Sequence, residues 1–425
     1  MFIKNTCKKI KEQNNGITLV ALVITIIIII ILSTITISTV FGDNGLINTA
    51  KKTKQDAEDF VNTENDKMSG LLDEYSNIMA EDSEIPPPDT RSELAKARDE
   101  GTRFDKTTDL EDDSGDIIWV PGGFKVAEDS ASEIDEGAVI QDDKGNQFVW
   151  IPVDNTSLNE MYQSASGTKL TGVDTTTNVY SKLRIRSGDS YTAGAPNSTN
   201  VREPDVLSSY DTSSSYYQDI LGYASTQAMA EAVVAEYAAT YASIEQYDGF
   251  YIGRYELTGS VEVPTVQKEQ AVLTNQNWYN LKKACTNVVT GDEYGAQSTM
   301  IYGNQWDEVM DWLVDTGMSS DLVNKDSSSW GNYSNSTGAA ATDSGSKQPT
   351  GTNEAWQANN IYDLAGNCYE WTQEANHTDY RVSRGGTYGI SGSAFPASDR
   401  DYNFPGYSSS YYSSRPALYI TRSVS

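Results

Sequence analysis

Residues 362–371 read YDLAGNCYEW and residues 384–389 read RGGTYG, and these two runs are the most specific pattern in the chain. Working outward, the runs that accompany them in order are FVWIPV (148–153), FYIGRYELT (250–258), QWDEVMDWL (305–313) and SRPALYI (414–420). Aromatic and β-branched residues dominate several of these runs, which is typical of short strands. We expect RGGTYG and RPALYI to lie as neighbouring strands in one small sheet.

Several elements can be assigned from periodicity and turn residues. Alternating apolar residues on both sides of Lys144-Gly145-Asn146 predict a β-hairpin. Apolar spacing predicts helices over residues 229–244 and 304–313, with a strand over 250–256 between them. Residues 154–225 and 327–350 are rich in small polar residues, so we expect long loops there.

The ordered set of runs resembles the sulfatase-modifying-factor family, the family of formylglycine-generating enzymes. The resemblance covers residues 147–425, and within it YDLAGNCYEW with the following RGG is the strongest match. It implies an α+β fold, irregular and low in regular secondary structure, related to C-type lectin domains. We take the whole domain as residues 115–425.

The chemistry of that family does not carry over to this chain. Members that oxidise a sulfatase cysteine use a copper-binding cysteine pair between the RGG motif and the C-terminus, and residues 384–425 contain no cysteine. Cys368 lies inside the motif where the family has an aliphatic residue, so we expect it to be packed rather than reactive. A thiolate–metal mechanism needs its sulfurs. We therefore predict that the chain is not an enzyme and requires no cofactor.

A segment rich in Tyr and Ser stands where the cysteines are missing: residues 401–414 read DYNFPGYSSSYYSS. Tyr supplies rigid amphipathic contact area, and Ser, Asn and Gly supply adjustable hydrogen bonds. The arrangement resembles variable proteins diversified by retroelements, which implies a variable surface over residues 387–414. The predicted ligand-binding residues are Tyr388, Ile390, Ser391, Ser393, Phe395, Asp399, Asp401, Tyr402, Asn403, Phe404, Tyr407, Ser408, Ser409, Ser410, Tyr411 and Tyr412. A disordered polar tail is the alternative.

The family resemblance also implies structural calcium near the motif. Asn367 and Glu370 match the positions whose oxygens surround the ion in that family. Hard oxygen ligands suit calcium. A loop held by hydrogen bonds from the same two side chains is the alternative.

Composition excludes several functional classes. The chain has 425 residues, 60 acidic against 31 basic ones, and a net charge of −29, which repels phosphate backbones and argues against a nucleic-acid partner. His377 is the single histidine, which removes most catalytic triads and zinc sites. The three cysteines are too few for a disulfide scaffold.

The N-terminus has the pattern of a membrane anchor. Residues 17–40 carry no charge and are long enough to span a bilayer as a helix. Four lysines precede this segment, which predicts a cytoplasmic leader over residues 1–16 and places everything after Val40 outside. A cleaved secretory signal is the alternative.

This segment also resembles a type IV prepilin leader, with basic residues, then Gly16, then ITLVALVITI. The resemblance implies cleavage after Gly16 by a prepilin-type peptidase. The family usually has Glu at the fifth mature position, where this chain has Ala21, and the missing carboxylate puts filament assembly in doubt.

An amphipathic pattern continues to about residue 80, so we predict one transmembrane and pilin-like helix over residues 17–80. Pro86-Pro87-Pro88 ends it. Residues 81–114 are acidic and rich in Thr, and they predict a linker.

These features predict a ligand-binding protein on a bacterial cell surface, held by a single membrane pass or within a pilus-like filament. Its lectin-fold domain would bind an unknown protein or glycan through the Tyr/Ser segment. A structural pilin with a decorative head and a divergent formylglycine-generating enzyme are the alternatives.

Overall fold

The computed structural model describes residues 89–162, 185–187, 190–192, 216–291, 293–377 and 380–421. The predicted leader, the helix over residues 17–80 and the cleavage site at Gly16 lie outside the described residues. Among the helices that are described, none combines the length and the apolar character needed to cross a bilayer.

The described elements form an α+β fold with more strands than helices. The α-helices are α1 (Glu93–Glu100), α2 (Asn155–Met161), α3 (Tyr216–Asp219), α4 (Thr226–Tyr247), α5 (Trp278–Thr286), α6 (Gly303–Asp315) and α7 (Ser320–Asn324). The strands are β1 (Thr108–Glu111), β2 (Ile117–Val120), β3 (Lys125–Val126), β4 (Val139–Gln141), β5 (Gln147–Pro152), β6 (Ile185–Ser187), β7 (Ser190–Thr192), β8 (Gly249–Gly253), β9 (Thr258–Gly259), β10 (Pro264–Thr265), β11 (Ala296–Met300), β12 (Gln357–Ala358), β13 (Ile361–Tyr362), β14 (Tyr369–His377), β15 (Tyr380–Arg384), β16 (Arg400–Asn403), β17 (Tyr412–Ser414) and β18 (Pro416–Ile420).

The larger sheet has six antiparallel strands in the order β11-β18-β8-β5-β4-β3. Its middle strand β5 buries both faces: Phe148 and Trp150 belong to one core cluster, whereas Val149 and Ile151 belong to the other. Because side chains alternate along a strand, the two clusters lie on opposite faces of this sheet. The predicted β4–β5 hairpin is confirmed, with its turn between Gln141 and Gln147.

The smaller sheet has the order β16-β15-β14-β17, in which β14 and β17 pair in parallel. The expected pairing of RGGTYG with RPALYI is wrong. The former run begins at the end of β15 in the smaller sheet, and RPALYI forms β18 in the larger one. The chain changes sheet at Arg415, between β17 and β18.

The two glycines of the RGG motif allow the chain to leave β15. Gly385 and Gly386 have φ of 86° and 75°, in the left-handed region that disfavours other residues. A Cβ on Gly386 would lie 2.6 Å from the carbonyl oxygen of Phe395, so only glycine fits.

The predicted linker over residues 81–114 is corrected from Asp89 onward. Ser92 caps helix α1 by accepting a hydrogen bond from the Ala95 amide at 3.2 Å, and Gly101 ends it in the left-handed conformation. Leu94 is fully buried against the core. The acidic composition of this segment predicted a linker, although it contains a short capped helix. The next strand, β1, pairs with β2.

The helices predicted over residues 229–244 and 304–313 are confirmed as α4 and α6. The predicted strand over residues 250–256 is β8, which ends three residues earlier. Within 154–225, short helices α2 and α3 occur where loops were expected. Residues 327–350 contain one 3₁₀ turn, Gly338–Ala341, and are otherwise irregular.

Candidate ligand-binding surface

The Tyr/Ser segment is held in place by its backbone. The Trp278 amide at the start of α5 donates to the carbonyl of Pro405 at 2.9 Å, and the Asn275 amide donates to that of Ser409 at 3.0 Å. A third bond, 2.8 Å long, joins the Tyr369 amide to the carbonyl of Tyr411. The loop between β16 and β17 is therefore ordered, which contradicts the disordered-tail alternative.

Four large side chains, in β16 and in the loop that follows it, point out of the core. The exposed fractions of Tyr402, Phe404, Tyr407 and Tyr411 are 50%, 45%, 43% and 42%. These four make up most of the large hydrophobic side chains that are exposed in the described part of the chain; the other two are Ile117 and Val263. Large exposed apolar groups gathered on ten consecutive residues are a feature of interaction surfaces.

The rings are arranged in pairs. Tyr388 stacks on Tyr411 with centroids 5.0 Å apart. Tyr380 stacks on Phe404 at 4.6 Å and meets Tyr402 edge to face at 5.3 Å. Ring pairs at these distances hold each other in position, so less freedom is lost when a ligand binds.

We use the name tyrosine surface for Tyr388, Tyr402, Phe404, Tyr407 and Tyr411 together with the polar residues between them.

Tyr412 is a correction to the predicted binding set. Its side chain is 6% exposed and stacks between Tyr369 and Trp371, with centroid distances of 5.2 and 5.0 Å. Tyr407 meets it edge to face at 5.5 Å, so Tyr412 forms the support beneath an exposed ring. The residues beside Tyr412 in the sequence are polar or aromatic and did not indicate burial. The side chains that bury it, Tyr369 and Trp371, come from β14.

The other predicted residues divide by exposure. Those that are exposed are Ser393 and Ser408. Those that are half-buried are Tyr388, Ile390, Ser391, Phe395, Asp399, Asp401, Asn403, Ser409 and Ser410. Ile390 packs against both core clusters and Phe395 packs against Tyr369, so these two side chains contribute to the fold as well as to the surface.

Two carboxylates flank the rings. Burial raises the pKa of Asp399 to about 6, and the nearby Arg384 guanidinium acts in the opposite direction. Burial also raises the pKa of Asp401, whose charge in turn acts on Tyr369 and Tyr412. The edge of the surface at β16 therefore carries acidic groups that titrate above the usual aspartate range.

The side-chain oxygens of Asn367 and Glu370 accept hydrogen bonds from groups of the protein. Both carboxylate oxygens of Glu370 accept from Arg415, at 2.7 and 3.0 Å. The side-chain oxygen of Asn367 accepts from Asn332 at 3.0 Å and from the Gln348 amide at 3.1 Å. Within the described residues, no group of three or more His, Cys, Asp or Glu side chains could hold a metal. This geometry matches the alternative of a loop fixed by hydrogen bonds.

The two described cysteines, Cys285 and Cys368, are fully buried and free of disulfides. Burial raises the pKa of Cys285 to about 12 and that of Cys368 well above its usual value. Neither sulfur is placed for thiolate chemistry, because a reactive cysteine is accessible and has a lowered pKa.

Tyr380 packs against two rings of the tyrosine surface, a contact that the sequence did not predict. It lies at the start of β15, which pairs with β16, and this pairing brings it against Tyr402 and Phe404. Only the pairing of β15 with β16 identifies Tyr380 as a neighbour of these rings. The two strands are separated by about twenty residues of chain, and composition does not predict that they pair.

No protein-family model matches the chain, and no curated protein matches it. Among solved structures, Treponema denticola variable protein 1 is similar at 17% identity over 40% of this chain and 84% of its own, with a TM-score of 0.29. PvdO from Pseudomonas aeruginosa is similar at 13% identity over 41% of this chain and 82% of its own, also at 0.29. Major Tropism Determinant U1 Variant is 13% identical over 40% of this chain and 51% of its own, at 0.25.

Proposed function

We propose that the chain is a ligand-binding protein and that the tyrosine surface is its binding site. The observation that carries the proposal is the exposure of Tyr402 in β16 and of Phe404, Tyr407 and Tyr411 on the following loop, whose backbone is anchored to α5 and β14. Exposed aromatic side chains that are already ordered lose little entropy on contact, and interface energies are concentrated in such residues.

The chemistry of the surface fits a ligand with both apolar and polar parts. Ser and Asn side chains lie between the rings, and Asn403 and Ser409 are half-exposed there. A protein loop and an oligosaccharide both offer this combination. The partner is therefore an extracellular protein or a glycan, which the chain binds without converting it chemically.

The test is binding of the labelled full chain, dispersed in detergent, to arrayed oligosaccharides and arrayed extracellular proteins. We expect the wild type to bind particular array positions, and the triple variant Tyr402→Ser, Tyr407→Ser, Tyr411→Ser to lose them. Truncating aromatic anchors costs about 2 kcal/mol or more each, so the loss should exceed tenfold.

The matched control is the double variant Ile117→Ser, Val263→Ser, which removes the two other large hydrophobic side chains that are exposed among the described residues. It should bind as the wild type does. Equal loss in both variants would mean nonspecific adhesion, and absence of binding by the wild type on both arrays would refute the proposal.

We also propose that this surface is presented outside the cytoplasm, behind a membrane anchor at residues 17–40 that is processed after Gly16. The lysine-rich leader and the uncharged segment support this. Protease added to intact cells should remove the domain, and mass spectrometry should find a mature N-terminus at Ile17. A protected domain would contradict the topology, and a retained Met1 would contradict the cleavage.

A further inference from the structure

A cleft of about 400 Å³ lies beside helix α4 and shares no residue with the tyrosine surface. Its volume is within the range of sites that hold small molecules. It is lined by Ala232, Ala235, Glu236, Ala239, Thr286, Val289, Thr290, Gly291, Gln297, Ser298 and Tyr419.

The helix side of the cleft is made of small side chains. Ala232, Ala235 and Ala239 follow one another at three and four residues, so they share one face of α4. Each contributes only a methyl group, and the space a longer side chain would fill is left open. This wall offers van der Waals contact and no hydrogen bonds.

The strand side carries an oriented amide. Gln297 and Tyr419 are directly opposed on β11 and β18, and the Tyr419 hydroxyl donates to the Gln297 side-chain oxygen at 2.7 Å. This bond uses the acceptor end of the amide. The Gln297 Nε2 group forms no hydrogen bond within the described residues and remains a donor for a ligand.

Glu236 gives the cleft an acceptor. Its Oε1 accepts from four groups: Thr299, Tyr302, Gln373 and Lys282, the last at 2.6 Å. Its Oε2 accepts from Lys282 alone, at 2.8 Å, among the residues described. The side chain is 17% exposed, so one carboxylate oxygen retains capacity for a hydroxyl donor.

The charge of this carboxylate is already balanced. Burial acts to raise the pKa of Glu236, but the Lys282 ammonium and the hydrogen bonds outweigh it and hold that pKa below its usual value. The ionised pair Glu236–Lys282 has no net charge to attract a cation or an anion. The cleft therefore selects for hydrogen bonding and shape, not for ligand charge.

We propose that this cleft binds a small neutral polyhydroxylated molecule of the size of a monosaccharide. Sugar hydroxyls would donate to Glu236 Oε2 and accept from Gln297 Nε2, while the apolar face of the ring contacts the alanine wall and Tyr419. A charged amino or acidic sugar has the same shape but loses the solvation of its charge without gaining a counter-charge.

The test is titration of the full chain with glucose, galactose, mannose and N-acetylglucosamine, followed by saturation-transfer NMR and calorimetry. Glucosamine and glucuronate are the charged comparisons. We expect at least one neutral sugar to bind, and more tightly than either charged one. Absence of binding by every neutral sugar, or tighter binding of a charged sugar, would overturn the proposal.

The location of the sugar site is tested with two variants that each place a leucine on helix α4. Ala235→Leu fills the cleft with a residue that favours helix, and it should weaken sugar binding at least tenfold. Ala242→Leu, at an exposed α4 position outside the cleft, should bind as the wild type does. Unchanged binding in Ala235→Leu, or loss of sugar binding in the tyrosine-surface triple variant, would refute the assignment to this cleft.

Discussion

Replacing Asp363 by Asn should change how the stability of the protein depends on pH. Asp363 is fully buried, and its Oδ2 accepts from the Thr350 hydroxyl and the Gly351 amide, both at 2.8 Å. Its Oδ1 has no hydrogen-bond partner within the described residues. Asn has nearly the same shape and also tolerates the left-handed backbone found here, with φ of 60°.

The magnitude follows from the pKa of the carboxyl group. Burial raises the pKa of Asp363 from 3.8 to about 6, against the opposing effects of the two hydrogen bonds and Arg415. Because the folded state holds this proton more tightly, stability is unaffected below pH 3.8, falls as the pH rises, and levels off above pH 6. A shift of this size costs about 3 kcal/mol when fully expressed.

The assay is urea unfolding of the full chain at pH 5 and pH 7.5, both above the isoelectric point of about 4.3. Over that interval the destabilisation by ionised Asp363 grows by about 1.4 kcal/mol, so the unfolding free energy of the variant relative to wild type should rise by that amount. Any constant offset from the Asn amide cancels in this comparison. Asp109→Asn removes an exposed carboxylate and should show no such rise. If the difference in unfolding free energy between Asp363→Asn and the wild type is the same at both pH values, the reasoning is refuted.

Three further predictions concern stability and reactivity. Arg415→Met should lower the free energy of unfolding in urea by about 3 to 5 kcal/mol, because it leaves the buried Glu370 carboxylate without its ion-pair partner. Adding Glu370→Gln should recover part of this stability. Cys285 should resist iodoacetamide at pH 8 until urea unfolds the chain, since burial raises its pKa to about 12; a labelled Cys285 peptide from folded protein would contradict this. Tyr412→Ala should destabilise by about 3 to 5 kcal/mol and Tyr411→Ala by about 1 or less, and equal effects would contradict the assigned burial.

Local elements were predictable from the sequence because their signals are local. The β4–β5 hairpin follows from the turn at Lys144-Gly145-Asn146 and the alternation beside it. Helix α6 follows from apolar residues at three- and four-residue spacing, and the structure extends it by only one to two residues at each end. In each case the residues that decide the element lie within about ten positions of one another.

Strand partners were not predictable, because they are chosen by residues far away in the chain. The segment around Arg415 shows this: β17 pairs with β14 and β18 pairs with β8. The Arg415 guanidinium holds the crossing by donating to Glu370, to the Gly253 carbonyl at 2.8 Å and to the Tyr362 carbonyl at 2.7 Å. Nothing in the composition of SSRPALYI indicates that its two halves belong to different sheets.

The adjacent residues Tyr411 and Tyr412 show how residues of the core and residues of the tyrosine surface alternate within one short stretch. Tyr412 lies opposite Tyr369 in the parallel pairing of β17 with β14 and is buried there, whereas the neighbouring Tyr411 ring is exposed. The backbone bonds that fix the loop, from Trp278 to Pro405 and from Asn275 to Ser409, involve no side chain of the tyrosine surface. Side-chain changes at the exposed positions should therefore alter the chemistry of the tyrosine surface while leaving the loop and its stability in place.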